Sequence, residues 1–167
     1  MRPTHAFVLA LSMAGCSVHV SRGSRGLAAA PDETAARTAI AAAARDFSAR
    51  YERGDVAGMV ALYTPDGVIL PPGRPAIRGT EALRAYWTLP AGVRVLEHRV
   101  TADSVVVAGP VAYDWGTYRV RTSNAEGAER ETIGKYVIVW RESAPGEWRM
   151  HVDMWNDTRP PAAAPRN

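Results

Sequence analysis

The residues with the greatest chemical reach lie near the C-terminal end of the chain. His151, Asp153 and Asn156 interrupt an otherwise apolar and aromatic stretch that also holds Trp148, Met150, Val152, Met154 and Trp155. A carboxylate among such neighbours is either desolvated, with a raised pKa, or held by a hydrogen-bonding partner. Asn156 and Lys135 are candidates for that partner. Asp153 is therefore the first candidate for acid/base chemistry, with Tyr118 and His98 as candidate assistants. A structural hydrogen bond or ion pair would use the same residue equally well, because structural networks perturb acids as readily as active sites do.

A second set is aromatic. Five Trp and six Tyr against two Phe is a composition rich in rings that carry a polar handle. Tyr63, Tyr86, Trp87, Tyr118 and Tyr136, with Asn156 as a further polar tip, are candidates to line a pocket with apolar walls and few polar groups. Packing in a core is the alternative for each, most directly for Trp87 and Trp140. His151 and Asp153 share a strand face by period two, and His98 or Asp114 would be needed to complete a metal site. No compact His/Cys/Glu signature accompanies them, so no metal and no other cofactor is expected. There is no Gly-rich phosphate loop, no Gly-x-Ser-x-Gly elbow, and no cysteine other than Cys16.

The elements that must position these groups can be read in order. Residues 34–53 predict a helix, with Ile40, Ala44, Phe47 and Tyr51 on one face. Gly54 closes it, and Asp55 caps a second helix carrying Met59, Val60 and Tyr63. A turn at Pro65-Asp66-Gly67 leads into a short buried strand, Val68-Ile69-Leu70. Thr80 caps a third helix with Leu83, Tyr86 and Trp87 on its apolar side. Four strands follow, at 93–107 (bulged near Asp103), 111–122, 131–142 and 148–156, joined by turns at Gly109-Pro110, Asn124 to Gly127 and Pro145-Gly146. Helices gathered on one side of an antiparallel sheet make an α+β domain. Val137, Ile138 and Val139 are apolar on both strand faces, so a homodimer partner is expected to cover the face that the helices leave open.

The formal charge is +3, or about +2 once Arg2 leaves with a leader. Basic residues are scattered and not interleaved with aromatics, so nucleic-acid binding is excluded. Arg2 precedes an apolar run, Ala6 to Gly15, too short for a membrane span of roughly 20 residues but of signal-peptide length. Met13-Ala14-Gly15-Cys16 resembles a bacterial lipobox, which implies cleavage before Cys16 and its lipidation. The expected organisation is a signal peptide over 1–15, a lipidated cysteine and flexible tether over 16–32, a domain over 33–158 and a disordered tail over 159–167. Its place would be the bacterial cell envelope, lipid-anchored or periplasmic, with membrane contact through Cys16.

Several short motifs share an order and spacing: Phe47 with Gly54-Asp55, Ala61-Leu62-Tyr63, Asp66-Gly67, Gly79-Thr80, then Gly116-Thr117-Tyr118, Gly134-Lys135-Tyr136-Val137, Trp140, and Trp148 to Asn156. Together they resemble the SnoaL-like, ketosteroid-isomerase-like family over roughly 34–157. The resemblance implies the cone of the nuclear transport factor 2-like fold, with three N-terminal helices packed on a curved antiparallel sheet, a pocket at the open end and a common tendency to dimerise. The isomerase groups of that family do not carry over. Phe47 stands where its tyrosine would be, Pro71 where its base would be, and Gly134 near its second acid. Without a base no proton leaves the substrate, so steroid isomerisation is not expected. The expected function is binding of a small apolar or amphipathic molecule. The alternative is an isomerase, cyclase or hydrolase using Asp153 as acid/base.

Overall fold

A computed structural model describes residues 32–158. The expected leader, Cys16 and the C-terminal tail lie outside the described residues.

Helix α1 (Glu33–Arg53) begins where the Asp32 side chain accepts from the Thr34 amide, and it ends at Gly54, whose left-handed backbone (φ 67°) only glycine adopts freely. Its buried stripe is Ala36, Ile40 and Phe47. Asp55 caps α2 (Val56–Ala61) through the Gly58 amide. The spacing predicts Tyr63 on that helix, and the structure places it beyond the helix end. It opens β1 (Tyr63–Leu70), which runs through the Pro65-Asp66-Gly67 turn as an irregularity in its pairing. A two-residue strand, β2 (Ile77–Arg78), pairs with β1 and has no hydrophobic period to announce it. Helix α3 (Thr80–Trp87) is preceded by Gly79 at the cap position with no side-chain cap, so Thr80 is its first residue and not its cap.

The long strands are β3 (Arg94–Ala108), β4 (Val111–Ser123), β5 (Glu129–Ala144) and β6 (Glu147–Asp157). The sheet order is β2-β1-β6-β5-β4-β3. It is mixed and not wholly antiparallel, because β1 lies parallel to β6. The expected bulge in β3 is present, between Ala102 and Ser104. A second irregularity lies in β6: Val139 faces Val152 and Trp140 faces Met150, which leaves His151 as an extra residue. An extra residue reverses the in–out phase of the strand beyond it. Trp148 and Met150 point inward before His151, and Asp153 does so after it.

The helices pack on the concave face over Ile40, Met59, Ile69, Leu83, Trp140 and Met150, all at most 1% exposed. The opposite face carries Val111, Tyr113, Trp115, Ile133, Val137 and Met154, all exposed. Trp115, Val137 and Met154 stand in one cross-strand row, and the Tyr113 and Trp115 rings stack 5.9 Å apart. Among the described residues no helix is long and apolar enough to cross a membrane.

Candidate functional site

Between α1, α3 and the concave face of the sheet lies a cavity of about 620 Å³. Phe47 and Tyr51 from α1, Tyr86 and Trp87 from α3, and Tyr136, Ile138 and Trp155 from the sheet form its walls. The Trp87 and Trp155 rings stack at 5.6 Å, and Phe47 meets Trp87 edge-on at 5.3 Å. Such a wall favours flat apolar ligands.

Asp153 lines this cavity and is 7% exposed. It does so only because His151 is bulged. Strict alternation from Trp148 and Met150 would have turned Val152 and Met154 inward instead. The phenol of Tyr63, itself 2% exposed, donates to Asp153 Oδ2 at 2.7 Å. Burial pushes the Asp153 carboxyl up to about 7, against the opposing pull of the Tyr63 bond, and the nearby Asp114 carboxylate raises it further. Burial also drives the Tyr63 phenol well above its usual range, with Asp153 adding to that. A carboxylic acid near neutrality can both donate and accept a proton.

Asp114 is a second buried acid that the motifs did not single out for acid/base work. It stands in the same cross-strand row as Asp153, with Ile138 between them. Its Oδ2 accepts from the Trp140 indole at 2.9 Å, while Oδ1 is buried without a hydrogen-bond partner. Burial raises its carboxyl to about 6, and the Trp140 bond and the neighbouring Tyr136 phenol hold it from going higher. The signal for Asp114 was period two along β4. Ala112, Asp114, Gly116 and Tyr118 all face inward.

Tyr118 and His98 also line the cavity. Tyr118 donates to Asp157 Oδ1 at 2.6 Å. Gly-x-Tyr occurs in both β4 and β5, and antiparallel pairing sets Tyr118 against Gly134 and Tyr136 against Gly116. A Cβ on Gly134 would strike both the Asn156 backbone carbonyl oxygen and the Tyr118 ring. Glycine is therefore required there for a steric reason, at the place where the family resemblance would put an acid. Burial lowers the His98 imidazole to about 4.

The expected residues thus divide. Asp153, Tyr118, His98, Tyr86, Trp87 and Tyr136 surround one cavity, and Tyr63 supports Asp153 from behind. Asn156 and Lys135 do not belong to it. They face each other across β5 and β6 and are exposed, so neither partners Asp153. His151 is turned away as well, with Nδ1 3.0 Å from the Thr64 hydroxyl and 3.5 Å from Asp66. Period two fails between His151 and Asp153 because the bulge lies there. Among the described residues no three His, Cys, Asp or Glu side chains converge as metal ligands would.

The SnoaL-like domain family matches residues 44–157. A ketosteroid isomerase-like protein from Erwinia carotovora atroseptica is 25% identical, with TM-score 0.65 over 74% of this chain and 96% of that one. A conserved protein from Planctomyces limnophilus is 26% identical, with TM-score 0.67 over 75% of this chain and 99% of that one. A nuclear transport factor 2-like superfamily protein from Salmonella enterica shares the fold at 14% identity and TM-score 0.63, over 81% of this chain and 99% of that one. No curated protein matches the chain.

Proposed function

The chain belongs to the SnoaL-like family, and from that premise we propose that its domain binds a small, flat, apolar or amphipathic molecule in the aromatic cavity, with Asp153 as the polar group that orients it. The observation that carries this reading is the buried Asp153 carboxyl opening into a cavity walled by Phe47, Trp87 and Trp155. An isolated carboxylate is costly to bury, so its presence where an aliphatic side chain would pack needs a reason. Titration of the full chain with 2-naphthol, followed by calorimetry, tests the proposal. Saturable one-site binding that Ala44→Phe weakens supports it, because Ala44 lines the cavity and a phenyl group there would project into it. Binding that this substitution leaves unchanged, or no binding, sinks it.

A second reading has its own support. A carboxyl at about 7 has both protonation states populated at neutral pH, which suits a general acid/base in an isomerase, cyclase or hydrolase. Steroid isomerisation of the familiar kind is disfavoured, since Phe47, Pro71 and Gly134 offer none of its groups. The proposal includes a homodimer through the outer face around Trp115 and Val137. Sedimentation of Trp115→Glu should give a monomer. It also includes attachment to the cell envelope through Cys16, which Cys16→Ser should abolish in membrane fractionation.

A further inference from the structure

His98 projects from β3, the edge strand of the sheet, and lines the cavity. Four contacts fix it. Its backbone N–H donates to the Glu52 carboxylate at 2.7 Å. Its ring stands edge-on to Phe47 and Tyr51, with centroids 5.8 and 5.3 Å away. Its Nδ1 lies 2.9 Å from the Ser48 hydroxyl.

The Ser48 contact bears on the tautomer. Ser48 has one hydroxyl proton, and its oxygen also lies 3.2 Å from the Ala44 carbonyl, one helical turn back. A carbonyl can only accept, so both contacts are hydrogen bonds together only when the hydroxyl proton goes to Ala44 and Ser48 accepts the Nδ1–H of His98. A neutral imidazole with its proton on Nδ1 carries a bare lone pair on Nε2. That nitrogen has no protein partner among the described residues, and it is not sealed in the core as Trp87 Nε1 and Trp148 Nε1 are.

Phe47 separates this acceptor from the acid. Its ring centroid is 5.8 Å from His98 and 6.2 Å from Tyr63, whose hydroxyl holds Asp153. His98 and Asp153 therefore address two different places along a ligand and not one atom.

We infer that His98 Nε2 is an acceptor site for a hydroxyl or N–H group of the ligand, so that the cavity selects flat apolar alcohols, phenols or N–H heterocycles over their methylated counterparts. This rests on the small-molecule reading of the cavity. No ionic partner is required, because the ring is neutral when it accepts.

Two measurements on the full chain test it. Long-range ¹H–¹⁵N correlation spectra of the histidine rings should show His98 with a protonated Nδ1 and an unprotonated Nε2. The reverse pattern overturns the inference without reference to any ligand. In parallel, 2-naphthol should bind about tenfold more tightly than 2-methoxynaphthalene, the value of one hydrogen bond whose acceptor the methyl ether would cut off from water. His98→Phe should bring the two within about twofold. Equal affinities in the unmodified chain overturn the inference and leave the cavity proposal standing. Failure of both probes to saturate removes the cavity proposal, and the inference with it.

Discussion

Two tyrosine–aspartate pairs belong to the same cavity. Tyr63 donates to Asp153 at 2.7 Å, and Tyr118 donates to Asp157 at 2.6 Å. The bonds are alike and the surroundings are not. Asp153 is buried beneath α1 and α3 among aromatic rings, whereas Asp157 is exposed at the end of β6. Loss of hydration, and not the length of the hydrogen bond, pushes the Asp153 carboxyl to about 7. The comparison places the chemistry at the buried Asp153 and leaves the Tyr118–Asp157 pair the task of shaping the cavity wall.

The largest expected difference between the pairs lies in turnover, if the acid/base reading holds. Asp153→Asn should then lower the rate by at least about 100-fold, the usual worth of a positioned acid or base. Asp157→Asn should stay within about threefold. Equal losses in a single steady-state assay would dissolve the contrast.

Stability against pH separates the pairs next. Asp153 rises from 3.8 to about 7 and Asp114 from 3.8 to about 6. A raised carboxyl contributes stability that is fully present below about 4 and is lost as pH climbs through its folded value. His98 has the opposite sign: lowered from 6.5 to about 4, it contributes above 6.5 and loses that contribution as pH falls through about 4. Between pH 4.5 and 7.5 the two acids outweigh the one imidazole, so their combined effect lowers stability as pH rises. Asp153→Asn should flatten that decline by a few kcal/mol in urea unfolding curves.

Gly134→Ala sharpens the steric side of the comparison. The added methyl meets the Asn156 carbonyl oxygen and the Tyr118 ring, so a cost of about 1–3 kcal/mol is expected, the usual range for overpacking. A neutral outcome in thermal unfolding would show that both the β6 backbone and Tyr118 give way at little cost.

The smallest effects come from the phenols themselves. Tyr63→Phe should cost about 1–2 kcal/mol, because it strands a buried carboxyl, and should raise the pKa of Asp153 further. Tyr118→Phe should cost no more than about 0.5 kcal/mol, since water can replace it beside exposed Asp157. Chemical denaturation of both variants at one pH is sufficient to compare them.

Much of this architecture was readable from residues close together in the chain. The stripe of α1, its glycine stop, the Asp55 cap and the bulge near Asp103 are local matters of helical period, backbone freedom and strand continuity. Tyr118 and Tyr136 were legible as pocket candidates, each two residues after a glycine. Hydrophobic alternation does not say which face turns inward where both sheet faces are apolar. In β4 the larger residues Val111, Tyr113 and Trp115 face outward, while Ala112, Asp114 and Gly116 are buried. A rule that sends the larger apolar side chains inward therefore reverses that strand and conceals Asp114.

The sequence by itself determined the α+β order, the limits of α1 and Asp153 as the residue most worth testing, because those rest on neighbours a few positions apart. Tertiary structure alone decided that β1 runs parallel to β6, that Tyr63 partners Asp153 across 90 positions, and that Lys135 and Asn156 do not. It also decided, through one extra residue at His151, that Asp153 faces the cavity. Strand pairing and bulges are settled by contacts between distant segments, and a shift of one residue exchanges the two faces of a strand.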